Sequence, residues 1–344
     1  MKRFFTYILL FVALLSAICM AAKQKNGKSV METESLLGNW ISELPDSIPV
    51  CELSLPGAHD ACTGEGTKFN LARTQELSLQ QLWDIGVRVF DFRPRVYKGE
   101  LHIFHGPLPT KISWEEAVDV LFANLKMSPG EFAIVIFQDE GGHKHENREK
   151  WDKLMKDYFL DSLKLPENIL ADFRPDLTVG DLRGKILFLS RTPYAKEPPT
   201  GGFISGWNFS PAGTTAACIS GKEETACLAV QDYFSPRDMS SKVQSVLAMA
   251  DYAVGAERNV WVINHASAYV GSSVWSKSYA RSAAFVHAAL LNQLRTYENS
   301  RGLGIVMMDF AGVDKWGKQQ TLGDTLFKEL VLSNFFRLSA KSVP

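Results

Sequence analysis

Short apolar runs alternate with amphipathic segments along most of this 344-residue chain, and this alternation limits the possible folds more than any other feature. The apolar runs are predicted strands, at residues 52–55, 87–92, 101–104, 132–137, 185–189, 228–230, 259–264 and 304–308. The amphipathic segments predict helices, for example at residues 77–86, 113–128, 147–163 and 277–299. Several strands are apolar throughout, which is typical of strands buried on both faces of a parallel sheet.

Repeated strand–helix units at this length predict an α/β fold, either a closed βα barrel or a doubly wound sheet. The sequence has no G-x-G-x-x-G motif after the first strand and no G-x-x-x-x-G-K-[ST] motif, which weakens the nucleotide-binding alternatives. No repeat or linker divides the body of the chain. We therefore predict one domain, an irregular (distorted) TIM-type βα barrel, over residues 37–344.

The N-terminus has the pattern of a secretory signal peptide. Two basic residues precede an apolar run at residues 4–18, which is short for a membrane span. We predict a signal peptide at residues 1–22, a flexible leader at 23–36, and export to the periplasm or the medium. A lipid anchor on Cys19 is the alternative, although Ile18 stands where a small residue is usual.

The charge of the chain argues against a polyanionic partner. The formal net charge is -1, and loss of the predicted signal peptide, with its two basic residues, makes it more negative. Nucleic acid is therefore not an expected partner, and no feature of the sequence indicates an obligate protein partner.

Four cysteines remain after the predicted signal peptide. Cys218 and Cys227 flank Gly221 at a separation that suits a bridged hairpin in an exported protein. Alternatively, all four cysteines are small buried apolar side chains. No C-x-x-C spacing suggests zinc.

Polar side chains follow or end several predicted strands. Because the strands of a βα barrel all end at one face, residues far apart in sequence can meet there over one cavity. The set comprises His59, Asp60, Asp91, Arg93, His105, Arg191, Asp232 and Asp309.

Two histidines, several carboxylates and an arginine suit transfer at phosphorus. One imidazole can remove a proton from an attacking hydroxyl while the other protonates the leaving oxygen. Carboxylates orient such imidazoles. A guanidinium can stabilise the phosphoryl oxygens without a metal ion.

Three segments resemble, in this order, the X region of phosphatidylinositol-specific phospholipase C, especially the bacterial, secreted, single-domain kind. They are SLPGAHDA, LSLQQLWDIGVRVFDFRPR and LHIFHGPLP. The likeness continues in RGKILFLSR, VQDYF, VWVINHASA and GIVMMDF and covers roughly residues 37–325. The resemblance implies an irregular βα barrel that cleaves phosphatidylinositol to diacylglycerol and inositol 1,2-cyclic phosphate.

The same resemblance assigns roles to the polar residues. His59 corresponds to the general base and His105 to the general acid. Asp309 corresponds to the carboxylate that orients the base, and Asp60 to the one that supports the acid. Arg93 resembles the phosphate clamp, with Asp91 as its partner.

Metal dependence separates two branches of this family. Calcium-dependent relatives carry an acidic residue where this chain has Arg93, whose charge can replace that of the ion. The resemblance therefore implies a metal-independent enzyme without a cofactor.

Arg191 and Asp232 resemble contacts to the inositol hydroxyls. The family places an aromatic ring two residues after this aspartate, where the chain has Phe234, with Tyr233 adjacent. The missing hydroxyl, or a shift by one residue, leaves the head-group specificity open.

The loop SAYVGSSVWSKSYA follows the last-but-one predicted strand and carries Tyr269 and Trp275. Aromatic residues on a loop beside the cavity suit insertion at the lipid headgroups. The alternative is that Trp275 packs on the following helix.

Two other functions remain open at this point. One is a related phosphodiesterase acting on glycerophosphoinositol or on GPI-type glycolipids. The other is a catalytically silent barrel that binds inositol phosphates, although a binding protein has no need of a paired acid and base.

Overall fold

The structure is a computed structural model, and it describes residues 37–66, 72–141, 145–160, 167–170, 172–193, 200–270, 279–297 and 301–340. The predicted signal peptide and leader, including Cys19, lie outside the described residues, and so does Trp275.

The described strands β1 to β12 lie at Ser54–Ala58, Val89–Phe92, Pro94–Tyr97, Glu100–His105, Leu108–Ser113, Ala133–Phe137, Ile186–Ser190, Gly202–Ser205, Thr214–Ser220, Thr225–Gln231, Trp261–His265 and Gly304–Met308. The described helices α1 to α7 lie at Leu79–Ile85, Trp114–Met127, His145–Leu160, Val179–Leu182, Met239–Gly255, Tyr279–Leu294 and Gly323–Ala340. Short 3-10 turns lie at Trp40–Glu43, Val50–Glu52 and Ala61–Glu65.

Nine of the strands close into a barrel in the order β1-β12-β11-β10-β9-β8-β7-β6-β2. Neighbouring strands are parallel except that β9 runs antiparallel to both β8 and β10. The predicted irregular βα barrel is confirmed, and the reversed strand is what makes it a mixed barrel.

The sequence pattern did not predict strands β3, β5, β8 and β9. Strands β3, β4 and β5 form a separate antiparallel sheet beside the barrel, so the predicted strand at 101–104 belongs to this side sheet. Strand β9 is exposed at several positions, and it lacks the continuous apolar run by which the buried parallel strands were recognised.

Helix α2 packs against β6 and against β7, the strand that Arg191 follows. It begins with a capping box in which the Ser113 hydroxyl accepts from the Glu116 amide while the Glu116 carboxylate accepts from the Ser113 amide. Its first residue, Trp114, is fully buried, with its ring 5.2 Å from that of Phe137 on β6 and 5.8 Å from that of Phe188 on β7. This aromatic packing holds β6 and β7 in place beneath the loops that follow them.

All four described cysteines are free thiols. Cys51 and Cys62 are buried, whereas Cys218 and Cys227 lie on the outward face of the β9–β10 hairpin, directly opposite each other. None of the described helices combines the length with the hydropathy that spanning a bilayer demands.

Candidate active site

The polar residues singled out in the sequence meet at one end of the barrel. His59 follows β1, Asp309 follows β12, Asp232 follows β10 and Arg191 follows β7. These strands are mutually parallel, so their carboxyl ends share one face. Asp91 lies near the end of β2 and His105 ends β4 of the side sheet.

His59 lies among three carboxylates. Its Nδ1 donates to Asp309 Oδ1 at 2.8 Å, and its Nε2 lies 3.4 Å from Asp60 Oδ2 and 3.9 Å from Asp91 Oδ2. Burial opposes a charge on the ring, but the carboxylates of Asp60 and Asp309 outweigh it and raise the pKa of His59 to about 9. The bond at Nδ1 leaves Nε2 as the atom that can exchange a proton with a ligand.

Asp60 lies between the two histidines. Its Oδ2 is 3.4 Å from His59 Nε2 and 3.4 Å from His105 Nε2. The residue has a left-handed backbone, with φ 44°, which turns its carboxylate back over the end of the barrel. Burial raises the pKa of Asp60, but the charges on His59, His105 and Arg93 outweigh burial and lower it. Asp60 is therefore a carboxylate that faces both imidazoles, not His105 alone.

His105 is held from its other side. Its Nδ1 donates to the carbonyl oxygen of Ala72 at 2.6 Å, which directs Nε2 toward Asp60. The hydroxyl of Tyr279, at the start of α6, lies 3.5 Å from the same Nε2. Nε2 is thus the atom of His105 that faces the space shared with His59.

Arg93 forms a two-pronged ion pair with Asp91. Its Nε donates to Asp91 Oδ1 at 2.7 Å and its Nη2 donates to Asp91 Oδ2 at 2.8 Å. Although burial opposes the charge, Asp91 and Asp60 keep the pKa of Arg93 above its usual range. For Asp91, burial raises the pKa, but the nearby positive charges, Arg93 foremost, together outweigh burial, and the pKa lies below its usual value. The guanidinium is therefore a fixed cation in a planar orientation.

A second group of residues lies around Arg191 and Asp232. The guanidinium of Arg191 stacks 3.7 Å from the centre of the Trp207 ring, and its Nη2 lies 3.8 Å from Asp232 Oδ2. Trp207 Nε1 donates to that oxygen at 3.0 Å. Burial, with the charge of Arg93, lowers the pKa of Arg191 to about 10, so it remains a cation at neutral pH.

His265, at the end of β11, joins this group to the histidine pair. Its ring lies 5.7 Å from the ring of His59 and 5.6 Å from that of Trp207. Its Nδ1 lies 3.1 Å from Ser267 Oγ and 3.8 Å from Asp232 Oδ1. Burial dominates here and lowers the pKa of His265 to about 3, so the ring is neutral.

Three buried polar atoms of this region have no hydrogen-bond partner within the part of the chain that is described. They are Asp60 Oδ1, Arg191 Nε and Asp309 Oδ2. Buried polar groups are normally paired, and such atoms grouped at one site are typical of a surface that a polar ligand completes.

Aromatic side chains line the rim of the cavity. Phe209 is 51% exposed and Phe234 is 39% exposed, and their rings are 5.1 Å apart. The Phe234 ring also lies 6.0 Å from that of Tyr269. The hydroxyl of Tyr233 accepts a hydrogen bond from the amide of Arg237, so Phe234 is the member of the predicted pair at the rim.

One group could also hold a metal ion. His59, Asp60 and Asp91 offer ligand atoms within 4.8 Å of one another. Both prongs of Arg93 already bind Asp91, and its Nε lies 3.5 Å from Asp60 Oδ1. A divalent cation there would face this guanidinium, and the like charges would repel.

Sequence reasoning missed Trp207, His265 and Gln75, whose buried amide bonds the carbonyl oxygens of His59 and Met308. Tyr279 belongs to the quoted loop SAYVGSSVWSKSYA, which was considered for membrane contact and not for contact with His105. His265 ends a predicted strand within the quoted VWVINHASA segment, so the rule that found the other site residues was available for it. Trp207 follows β8, whose pattern predicted no strand. Gln75 carries no charge and lies in a loop, and no sequence signal distinguishes it.

No protein-family model matches the chain. The chain is 29% identical over 286 residues to the 1-phosphatidylinositol phosphodiesterase of Listeria monocytogenes, covering 79% of this chain and 80% of that relative. A mutant of the phosphatidylinositol-specific phospholipase C from Staphylococcus aureus has the same fold, with a TM-score of 0.73 and 19% identity over 85% of this chain and 96% of that one. The Listeria phosphatidylinositol-specific phospholipase C structure gives a TM-score of 0.61 at 24% identity, covering 87% and 98%. The predicted resemblance to this bacterial family is confirmed.

Proposed function

We propose that this chain, as a relative of the bacterial phosphatidylinositol-specific phospholipases C, cleaves phosphatidylinositol to diacylglycerol and inositol 1,2-cyclic phosphate. One observation carries the proposal above the others. The Nε2 atoms of His59 and His105 each lie 3.4 Å from Asp60 Oδ2, beside a guanidinium that Asp91 holds in a fixed plane. In the proposed mechanism these groups serve as the acid, the base and the phosphate-binding cation around one space.

His59 is the general base. Its Nδ1–H donates to Asp309, so the neutral ring presents an unprotonated Nε2 that removes the proton from the inositol 2-hydroxyl. The resulting oxygen attacks phosphorus, and the bond from phosphorus to the glycerol oxygen breaks. Asp309 stabilises the imidazolium that forms, as a carboxylate behind a catalytic histidine does.

His105 is the general acid. Its Nδ1 donates to Ala72, so the proton that leaves is the one on Nε2, and it passes to the departing glycerol oxygen. Asp60 Oδ2 lies 3.4 Å from His105 Nε2 and 3.4 Å from His59 Nε2, so its carboxylate can accept from whichever imidazole carries the proton.

Arg93 stabilises the phosphoryl oxygens as their negative charge grows. The two hydrogen bonds to Asp91 orient the guanidinium before the substrate arrives. Since Arg93 supplies a permanent positive charge where calcium-dependent relatives have an acidic residue, we propose that the reaction needs neither a metal ion nor a cofactor.

Arg191 and Asp232 bind the inositol hydroxyls. Asp232 is an acceptor. Burial raises its pKa, but the positive charges around it, Arg191 among them, outweigh burial and lower the pKa, so it is ionised. Arg191 offers its unpartnered Nε as a donor. Tyr233 and Phe234 complete this wall, where Phe234 offers an apolar ring without a hydroxyl.

Contact with the membrane is peripheral. Work on the S. aureus enzyme concerns its membrane binding, and here the exposed rings of Phe209 and Phe234, with Tyr269 behind them, form an apolar rim beside the cavity. Such rings partition to the headgroup region of a bilayer. Trp275 is a further membrane contact in this proposal.

The proposal includes export of the chain. Residues 1–22 direct secretion or transfer to the periplasm, 23–36 link the signal to the barrel, and the barrel domain occupies the rest. Acylation of Cys19 is the competing arrangement, and mass spectrometry of the mature N-terminus distinguishes the two.

The test is diacylglycerol release from phosphatidylinositol vesicles in the presence of EDTA. We expect release by the wild type and by Gln80→Met, a control on the exposed face of α1, and none by His59→Ala. No release by the wild type, or undiminished release by His59→Ala, would contradict the proposal. Turnover of glycerophosphoinositol or of a glycosylated inositol lipid without turnover of vesicles would instead identify the related phosphodiesterase, and binding of inositol phosphate without turnover would identify the silent barrel.

A further inference from the structure

The two histidines of the site belong to different elements, yet one short segment contacts the surroundings of both. His59 follows β1 of the barrel, whereas His105 ends β4 of the side sheet. Residues 72–76 lie across the barrel end between them. The carbonyl oxygen of Ala72 accepts from His105 Nδ1 at 2.6 Å.

Gln75 is the centre of this segment, and its side chain is fully buried. Its Nε2 donates to the carbonyl oxygens of His59 at 2.8 Å and Met308 at 2.7 Å. Its Oε1 accepts from the amide of Ala311 at 3.0 Å. One amide group thus joins the backbone at His59 to the backbone on both sides of Asp309.

The backbone of the 72–76 segment reinforces this link. The carbonyl oxygen of Thr74 accepts from the amide of Phe310 at 2.7 Å, and the Thr74 and Thr63 hydroxyls lie 2.8 Å apart. The segment is therefore bonded to both loops that carry the His59–Asp309 pair.

These two loops need such support. Beyond β1 and β12 the ladder adds one bond, from the His59 amide to the Met308 carbonyl oxygen at 3.0 Å, and the backbone groups that follow it require other partners. Each loop also contains a non-glycine residue in the left-handed region, Asp60 with φ 44° and Phe310 with φ 52°. Such residues persist only where their surroundings over-determine the conformation.

We infer that Gln75 is a positioning residue for catalysis, which sets the separation between His59 and Asp309 and, through the 72–76 segment, the placement of both histidines. It touches no substrate. Its amide bonds two backbone segments that converge from opposite ends of the sequence. The inference rests on the proposed function, since it assigns a means of holding that function's base and acid.

The main experiment is Gln75→Met in the full chain. Methionine has a similar length and no amide, so the buried space stays filled while the three hydrogen bonds are lost. A small displacement of catalytic groups costs about a hundredfold in rate, so we expect kcat to fall about a hundredfold while KM changes little. The second measurement is an NMR titration of His59. We expect a lower pKa in the variant, because the contact between His59 and Asp309 loosens. A kcat within twofold of the wild type, with an unchanged His59 titration, would overturn the inference.

Gln75→Glu keeps an oxygen that can accept from Ala311 and replaces the donor. If Gln75→Met does not fold, this variant is used instead. The ionised glutamate repels the carbonyl oxygens of His59 and Met308, whereas the protonated glutamate, formed at lower pH, again has a hydrogen-bond donor. We expect its kcat, relative to the wild type, to recover as the pH falls. An unchanged ratio across pH would contradict the role.

The two proposals fail separately. Absence of diacylglycerol release by the wild type refutes the proposed function, whereas the His59 titration in Gln75→Met still decides whether Gln75 positions the pair. Gln80→Met again serves as the matched control, because Gln80 is exposed and its side chain, within the part of the chain that is described, hydrogen-bonds only Asp84 and Asn124.

A separate observation concerns the β9–β10 hairpin, where Cys218 and Cys227 are register partners. The amide of Gly221 donates to the carbonyl of Glu224 at 2.8 Å, which makes these two a hydrogen-bonded pair. Since such pairs alternate along an antiparallel ladder, the cysteines occupy a non-hydrogen-bonded site, where Cα atoms lie about 4.5 Å apart and side chains are closest. This spacing is within the range that a disulfide requires.

We propose that Cys218 and Cys227 form a redox-active pair that a small-molecule disulfide oxidises. One thiolate attacks the reagent and releases one thiol. The second thiolate attacks the mixed disulfide and releases the other thiol, so a protein disulfide forms as the reagent is reduced to two thiols. No backbone rearrangement is required.

The test is exposure of the folded chain to oxidised glutathione, followed by alkylation and peptide mapping. We expect a cross-linked fragment that contains both cysteines and that dithiothreitol separates, whereas Cys218→Ser should accumulate a glutathione adduct on Cys227. The buried Cys51 and Cys62 are internal controls that stay reduced. Two alkylated thiols, or an unresolved adduct in the wild type, would contradict the proposal.

Discussion

His59 and His265 are neighbours in the same cavity, with rings 5.7 Å apart, yet their pKa values move in opposite directions. Burial disfavours the charged form of both rings. The pKa of His59 nevertheless rises to about 9, whereas that of His265 falls to about 3.

The difference comes from the partners of each ring. Asp309 bonds His59 Nδ1 directly, and Asp60 lies beside Nε2. The nearest carboxylate to His265 is Asp232, at 3.8 Å, and it already accepts from Trp207. Burial alone therefore produces a neutral histidine, and the carboxylates in contact with His59 are what raise the pKa of an equally buried ring above its ordinary value.

The largest expected effect separates the two rings by function. We expect His59→Ala to reduce turnover of phosphatidylinositol by about 10⁴-fold, at the upper end of what general base catalysis contributes. His265→Gln, which keeps a neutral hydrogen-bonding side chain, should change kcat by less than about tenfold. Equal losses in initial-rate assays would show that His265 also transfers a proton.

The next effect comes from removing the carboxylate that distinguishes His59. Asp309→Asn should reduce kcat/KM by about 10²–10³-fold, because the ring loses its orientation and its charge partner. In the wild type kcat/KM should fall as the pH drops below about 9, because a protonated His59 cannot accept a proton. In the variant, the fall in kcat/KM should begin at a lower pH. If it begins at the same pH as in the wild type, a group other than His59 causes it.

A smaller effect is expected from giving His265 the kind of partner that His59 has. Ser267→Asp places a carboxylate beside His265 Nδ1, where the serine hydroxyl now lies at 3.1 Å. NMR titration should show the pKa of His265 rising from about 3 toward its ordinary value. A pKa that stays near 3 would mean that burial and the nearby cations outweigh any single carboxylate.

The smallest effect concerns stability. His265 has a folded pKa of about 3, below its unfolded value of about 6.5, so between these values the unfolded chain binds more protons and the folded state loses stability as the pH falls. His265→Gln removes this contribution. Urea unfolding should show a smaller loss of stability from pH 6.5 to pH 4 than in the wild type, by on the order of 1 kcal/mol or more.

His287→Gln provides the matched control for that measurement. His287 is also fully buried, with its pKa lowered to about 4, but it bonds the Thr321 carbonyl and lies outside the cavity. Its replacement should reduce acid sensitivity in the same direction without altering turnover. If neither substitution changes how the free energy of unfolding falls between pH 6.5 and pH 4, the carboxylates alone cause that loss of stability.

Much of the fold followed from local sequence patterns. The apolar runs at β6, β7 and β12 are fully buried strands, and such runs are visible in a short window of sequence. Strands β8 and β9 were not predicted, because half-exposed strands carry mixed side chains. Strand β9 pairs with its sequence neighbours β8 and β10, and the side-chain period of a strand does not report the direction in which it runs.

Local sequence was enough to identify the chemical groups of the site, because each lies where an apolar strand stops. His59, Asp309, Arg93 and His105 were all found in this way. Which of these groups touch depends on the tertiary structure. Asp60 lies beside both histidines, Gln75 bonds the carbonyl oxygen of Met308, 233 residues further along the chain, and His265 has a lowered pKa beside His59, whose pKa is raised. Hydrogen bonds and pKa values depend on distances of a few ångströms between segments remote in sequence, and those distances exist only once the barrel closes.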